Sequence, residues 1–172
     1  MFPSAIEFEK LRRLYVSIDE LLELDQDALR RTDESVSQWS AEQHLAHLAL
    51  ANELSFQNVK SLLAGRGHLI QPEGEPVAAA REVLSAGVIP GGAEAPRMVR
   101  PPREVQRDYL IEWLDGNRAD VAELEGLTQA IARAPGRIPH QLMGPLSASL
   151  WVRFAAMHTE HHLKIVRAVL GG

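Results

Sequence analysis

The stretch that decides the fold is SASLWVRFAAMHTEHHLKIVRAVL, residues 147–170. Apolar residues recur in it at steps of three and four, which is the spacing of one face of an α-helix. At 100° per residue, Trp151 and Val169 project within about 20° of His158. Ser147 is a suitable N-cap. The segment is therefore predicted to be a long helix with a histidine in the middle of its core-facing stripe.

Three more segments have helical spacing, and glycine and proline separate them. β-branched residues do not cluster and apolar and polar residues do not alternate, so strands are not expected. The predicted helices run from about Ala5 to Arg31, from Ser40 to Ala64, from Pro101 to about Leu127, and from Ser147 to Gly171-Gly172.

A long connection, residues 65–100, lies between the second and third predicted helices and is rich in proline, glycine and arginine. A short helix is expected in it from about Val77 to Leu84. Connections of this length in a compact domain are usually functional, cover another element or are poorly ordered. Four long helices with one long crossover predict an all-α four-helix bundle, formed by residues 1–172 as a single domain.

Composition excludes several classes of protein. The 172 residues include seven histidines and no cysteine, so a disulfide framework, a thiolate zinc site and a cysteine nucleophile are excluded. A net charge of -5 argues against a nucleic-acid-binding protein. No apolar run approaches the ~20 residues of a membrane span. The first residues lack the basic start of a secretory signal, so we expect a cytoplasmic protein.

The histidines of the last helix have the spacing of metal ligands. His162 follows His158 by four residues and lies on the same helical face, whereas His161 projects about 60° away on the other flank. Two imidazoles at this spacing can converge on one metal ion. Glu160 projects about 160° from His162, so the general base of a zinc-protease motif is missing.

His47 of the second predicted helix can complete a set of three. Neutral imidazoles leave a divalent ion its full charge and an open coordination position, which is typical of catalytic sites. However, a single histidine on an apolar face is more often a hydrogen-bonded core residue. A pair is as compatible with a network of hydrogen bonds as with a shared ion. Spacing alone leaves both interpretations open.

Other polar residues have weaker assignments. Asn58 or His44 can hydrogen-bond a ligand imidazole. An arginine-rich stretch either is a solvated basic loop or forms a rim that binds the carboxylates of an acidic thiol cofactor. His68 and His140 are expected in loops and have no assigned role. The arginines of this stretch are Arg97, Arg100, Arg103 and Arg107.

Two motifs resemble those of the DinB-like superfamily. One is WSAEQHLAHL, residues 39–48, in the second helix. The other begins at Pro139-His140 and continues through His158 to Leu163 in the last helix. The first and third helices match in length and pattern only.

The resemblance implies an up-down-down-up bundle, usually a homodimer, with a divalent metal ion held by His47, His158 and His162. Zinc and nickel are the ions we expect. Characterised relatives are metal-dependent transferases that act on low-molecular-weight thiols, including bacillithiol and mycothiol enzymes and a maleylpyruvate isomerase. Here Leu163 and the residues after it replace an arginine and a glutamine of many relatives. This is closer to a double-histidine branch, in which His161 replaces or supplements His162 as a ligand.

The resulting hypothesis is a stress or detoxification enzyme in which a bound divalent ion activates a low-molecular-weight thiol for transfer to a small electrophile. With water in place of the thiol, the same site would give a hydrolase. A non-catalytic stress-response bundle is the alternative from another class of protein. The sequence leaves open whether the chain is an enzyme.

Overall fold

The computed structural model describes residues 3–171, which form helices and one short antiparallel hairpin. Three residues of the long crossover, Arg97–Val99, form a 3-10 turn. The hairpin strands are β1 (Ile138–His140) and β2 (Gly144–Leu146). The helices are α1 (Ser4–Leu22), α2 (Gln26–Leu29), α3 (Ala41–Ala64), α4 (Ala78–Ala86), α5 (Arg107–Glu125), α6 (Thr128–Arg133) and α7 (Ala148–Val169).

Helices α1 and α7 are parallel neighbours. Glu7 near the start of α1 pairs with Arg153 near the start of α7. Lys10, further along α1, pairs with Glu160, further along α7. The two ion pairs follow the same order in both helices, so the helices run in one direction.

Helix α3 packs between α7 and α5 and runs opposite to α7. His44 contacts His162, whereas His47, further along α3, contacts His158, which comes earlier in α7. The order of contacts is reversed, as antiparallel helices require.

Helices α3 and α5 are parallel. Gln43 at the start of α3 binds the carbonyl of Pro102, just before α5, whereas Lys60 near the end of α3 pairs with Glu123 near the end of α5. The long crossover makes this parallel arrangement possible. The all-α four-helix bundle is confirmed, and its helices run up, down, down and up.

The sequence predicted the bounds of the two histidine-bearing helices well. Ser40 caps α3 in a capping box, with its hydroxyl accepting from the backbone N–H of Gln43 at 3.2 Å. Gly65 ends α3 in the left-handed conformation at φ 61°. Ser147 caps α7 by accepting from the N–H of Leu150 at 3.3 Å. Helix α7 ends at Val169, and Gly172 lies outside the described residues.

The first predicted helix, Ala5 to Arg31, is wrong in its last third. Helix α1 ends at Leu22, and the separate helix α2 begins after Asp25. The Asp25 carboxylate accepts a hydrogen bond from the N–H of Ala28 at 2.7 Å, which is an N-cap interaction. An N-cap residue does not have helical backbone angles, so the helix must break before α2 begins. The spacing of apolar residues in the sequence continues across this break and does not reveal it.

The start of the third helix was also predicted too early. Helix α5 begins at Arg107 rather than at Pro101. The side-chain amide of Gln43 donates to the carbonyls of both Pro102 and Arg103 at 3.2 Å. Buried Val105 holds the same segment against the core. These tertiary contacts outweigh the preference of proline for a first helical turn.

The hairpin contradicts the expectation of no strands. Its three-residue strands are too short to show an alternating pattern. Nδ1 of His140 accepts from the N–H groups of Leu142 and Met143 at 3.2 and 3.3 Å, which closes the turn. Met143 also accepts a backbone hydrogen bond from Val77 at 3.0 Å, so the hairpin anchors the crossover next to α4.

A buried polar network joins the four long helices, with one residue from each. The hydroxyl of Tyr15 donates to Asn117 at 2.9 Å, and burial raises the pKa of this tyrosine. The Asn52 amide donates to Tyr15 at 3.0 Å and to Thr159 at 2.8 Å. In this apolar core, sliding one helix along its neighbour would break a hydrogen bond of the network and leave its polar atoms buried without partners. The network therefore fixes the register of the helices.

The core continues around this network. Helix α3 buries residues on two sides, with Leu45, Ala49 and Phe56 fully enclosed, which identifies it as a central helix. Among the described residues, no helix combines the length and the apolar character that crossing a membrane demands.

Candidate metal centre

Three histidines from two helices meet inside the bundle. Helix α3 supplies His47, and α7 supplies His158 and His162 one turn apart. One ring nitrogen of each lies within 4.8 Å of the others, and all three side chains are buried. The ring centroids are 4.4 to 4.9 Å apart. The three residues that spacing and resemblance indicated are therefore brought together.

The distances suit a small metal ion. Nε2 of His47 lies 3.2 Å from Nε2 of His158. Two nitrogens bound to one tetrahedral zinc ion at 2.0–2.1 Å would be about 3.3 Å apart. Imidazole nitrogens suit zinc, nickel, copper and iron. The residues present thus fit a divalent transition-metal ion.

The crossover fixes the orientation of His47. Nδ1 of His47 lies 2.7 Å from the backbone carbonyl of Val99, in the 3-10 turn. A carbonyl can only accept, so Nδ1 carries the proton and Nε2 retains its lone pair. Metal-binding histidines commonly donate their second N–H in this way. The crossover is therefore part of the site.

The three imidazoles are held in the neutral, metal-binding form. Burial lowers the pKa of His47, and it lowers the pKa values of His158 and His162 far below the usual range. Deprotonated nitrogens are what a metal ion requires. The site is thus ready to bind an ion at neutral pH without first losing protons.

One buried nitrogen in the site has no hydrogen-bond partner among residues 3–171. It is Nδ1 of His158. A buried polar atom without a partner costs about 1–3 kcal/mol. Nε2 of His158 faces His47, so Nδ1 is the nitrogen on the other side of the ring, and it carries the proton when the Nε2 lone pair is used. The cluster thus keeps one buried imidazole nitrogen without a partner in the described part of the protein.

His44 lies beside the cluster, as the sequence suggested for a residue that supports a ligand. Its Nδ1 is 3.0 Å from Nδ1 of His162, and its Nε2 is 2.8 Å from the hydroxyl of Ser37. Trp39 packs against the rings of both His44 and His47 at centroid distances of 5.3 and 5.1 Å. The other suggestion, Asn58, was wrong: it lies eleven residues after His47 on α3, about 16 Å away along the helix.

His161 and Glu160 lie outside the cluster. His161 is only half-buried and is not one of the three converging histidines. Glu160 pairs with Lys10 at 2.6 Å, and this hydrogen bond lowers the pKa of its carboxyl group. Glu160 is thus held in an ion pair with α1.

Two of the four arginines before or at the start of α5 are engaged with other groups. Arg100 pairs with Glu94, and Arg107 donates to the carbonyl of Leu22. Arg97 is exposed, and Arg103 lines a polar cleft near the start of α3. A carboxylate-binding rim remains a prediction.

Sequence reasoning missed several contributors to the site. The carbonyl of Val99 has no side-chain signature, and Ser37 lies in an irregular loop. His140 is in β1 rather than in a loop without a role. Its ring packs on Phe154 at 4.5 Å, and Phe154 stacks on His158 at 5.1 Å. The position of His140 at the beginning of the second family motif was the available signal.

The model of the DinB superfamily matches residues 7–166, nearly the whole chain. The chain belongs to the DinB superfamily. Neither the curated proteins nor the solved structures include a match to it. In this DinB protein all three clustered histidines lie inside the matched range, so the buried cluster lies in the matched domain and not in an appended segment.

Proposed function

We propose that this DinB protein is a metalloenzyme that binds a divalent ion through His47, His158 and His162. The observation that carries the proposal is the convergence of three buried, neutral imidazoles on one point. Among residues 3–171, no carboxylate joins this group. The ligands would therefore leave a zinc or nickel ion its full charge, as catalytic sites with an open position do.

A bound ion of this kind supplies a Lewis acid that lowers the pKa of a thiol or a water molecule toward neutrality. We propose a low-molecular-weight thiol as the nucleophile and a small electrophile as its acceptor. The chain contains no cysteine, so the sulfur must arrive with a substrate. The thiolate would attack the electrophilic carbon and form a carbon–sulfur bond, while the bond to the leaving group breaks and that group departs with the electron pair, as chloride does from an aryl chloride. The thiol proton would pass to solvent.

The surrounding residues orient the histidines and keep water away from them. The Val99 carbonyl holds His47, as described above. Phe154 stacks on one face of His158, with 30° between the planes of the two rings. Trp39 covers His47. A site enclosed by aromatic rings strengthens electrostatic interactions inside it, because the local dielectric constant is low.

Elemental analysis tests metal binding. The protein should be purified without a histidine tag, and zinc and nickel measured per chain in the wild type and in His158→Ala. We expect a stoichiometric ion in the wild type and none in the variant. His161→Ala is the matched control, because it removes a neighbouring imidazole outside the cluster. Absence of any ion in the wild type after growth with added zinc and nickel would refute the metalloenzyme.

A turnover assay tests the chemistry. The metal-loaded protein is incubated with 1-chloro-2,4-dinitrobenzene, a generic electrophile, with and without a panel of small thiols. We expect product that depends on both the thiol and His158. Turnover that is independent of thiol would replace the transferase with a hydrolase. A stoichiometric ion without turnover of either kind would favour a binding protein.

A further inference from the structure

A line of hydrogen bonds leads from the metal centre to the loop before α3. Nδ1 of His162 is 3.0 Å from Nδ1 of His44, and Nε2 of His44 is 2.8 Å from Oγ of Ser37. The backbone N–H of Trp39 donates to the same oxygen at 3.1 Å. His162 thus has a second imidazole where His47 has a backbone carbonyl. Unlike a carbonyl, an imidazole nitrogen can either donate or accept.

Only one direction of donation along this line suits metal binding. The contact with His44 uses Nδ1 of His162, so Nε2 is the nitrogen left for an ion. A free lone pair on Nε2 requires the proton of neutral His162 to be on Nδ1, which then donates to His44. His44 must in turn donate from Nε2 to Ser37. The Ser37 oxygen has two lone pairs, so it can accept from His44 and Trp39 together.

In the opposite direction the site would be blocked. If the Ser37 hydroxyl donated to His44, then His44 would donate from Nδ1 to His162. Neutral His162 would then carry its proton on Nε2, which is the nitrogen needed for the ion. The direction of the line thus decides whether His162 can bind a metal.

We propose that His44 and Ser37 are positioning residues that hold His162 in the form with the proton on Nδ1. This rests on the proposed metal site. His44 is only 3% exposed, and Trp39 packs against its ring, so the imidazole is held in place. The backbone N–H of Trp39 donates to Oγ of Ser37 and so holds this hydroxyl in place, with a second lone pair still available to accept from His44.

Two kinds of variant separate positioning from packing. His44→Phe keeps a buried ring without an acceptor, whereas the amide oxygen of His44→Gln can still accept from His162. Ser37→Ala acts at the partly exposed end of the line and leaves the core intact. His161→Phe is the control for changing a ring next to His162. Removal of such supporting contacts typically costs 10–100-fold in metal affinity.

Zinc affinity is measured by competition with a chromophoric chelator. We expect zinc binding to weaken by about 10–100-fold in His44→Phe, less in Ser37→Ala, and little in His44→Gln and His161→Phe. Wild-type affinity in both His44→Phe and Ser37→Ala would overturn the proposal. So would X-ray absorption showing four imidazoles on zinc in the wild type and three in His44→Phe, because His44 would then be a ligand itself.

Nitrogen-15 NMR of the metal-free protein gives an independent readout. The imidazole shifts of His162 should show the proton on Nδ1 in the wild type and a mixture of forms in Ser37→Ala. A proton on Nε2 in the wild type would overturn the proposal. This measurement needs no bound ion, so it decides the positioning role even if the wild type binds no zinc. Failure of the metal site and failure of the positioning role are therefore distinguishable.

Discussion

Nε2 of His47 and Nε2 of His158 lie 3.2 Å apart, although 111 positions separate the two residues in the chain. His47 points a lone pair toward this contact, because its proton is used by the Val99 carbonyl. Two lone pairs at this distance would repel each other. The space between the nitrogens therefore calls for a proton of His158 or a metal ion.

Metal removal should lower the thermal stability of the wild type. A ligand at 100 times its Kd stabilises the folded state by about 2.7 kcal/mol. For a chain of this size, each kcal/mol shifts the Tm by about 2–4 °C. Calorimetry with and without a chelator should thus show a fall of roughly 5–10 °C. His158→Ala should not respond to the chelator, and an unchanged wild-type Tm would count against the bound ion.

Acid should destabilise the metal-free protein before it reaches the range in which most carboxylates titrate. Burial lowers the pKa values of His44 and His140 to about 4, whereas an unfolded histidine titrates near 6.5. Between these values the unfolded chain binds more protons. The free energy of unfolding is therefore retained above pH 6.5 and falls as the pH drops toward 4, by up to about 1.4 kcal/mol per pH unit for each group.

Urea unfolding at pH 7.0, 5.5 and 4.5 measures this loss. His140→Gln should make the free energy of unfolding depend less steeply on pH, because one fewer group takes up a proton on unfolding. Equal slopes in the wild type and in His140→Gln would mean that His140 does not titrate between these limits.

Tyr15→Phe should destabilise the bundle. The substitution leaves the buried oxygen of Asn117 and one N–H of Asn52 without the tyrosine hydroxyl. A buried group that loses its partner costs about 1–3 kcal/mol, which urea unfolding can resolve. Tyr109→Phe is the matched control, because Tyr109 is 57% exposed, and it should be neutral. Equal effects of both variants would show that the hydrogen bonds of Tyr15 do not stabilise the fold.

Two glycines should respond to alanine in opposite ways. Gly116 lies within α5, and a Cβ there would have open space around it. Gly116→Ala should raise the free energy of unfolding by about 0.5–1 kcal/mol. Gly136 has φ 79°, and its Cβ would lie 2.9 Å from Cγ2 of Ile70. Gly136→Ala should therefore destabilise, by roughly 1 kcal/mol or more. Thermal melts of both variants test the pair.

Much of the fold could be predicted because the strongest signals are local. Ser40 and Ser147 marked the starts of both histidine-bearing helices, since capping depends on residues a few positions apart. The i, i+4 spacing of His158 and His162 is equally local. Their meeting with His47 followed from the amphipathic stripes that face the bundle core, and from the family motifs.

What could not be predicted depends on contacts between distant segments. The delayed start of α5 at Arg107 reflects the binding of Gln43 to preceding carbonyls. The support of His47 comes from the backbone carbonyl of Val99. Every residue type has this carbonyl, so no sequence pattern marks it. The break after Leu22 follows from Asp25, whose capping role competes with a continuous apolar stripe.

The polar network of Tyr15, Asn52, Asn117 and Thr159 has a consequence for how this domain can change over time. It aligns all four helices without using any of the three clustered histidines. Substitutions at the histidines therefore leave the alignment of the backbone intact. A change of ligand therefore does not require a change in the bonds that align the helices. The residues that align the helices and the residues that form the candidate metal centre can thus change at different rates in evolution.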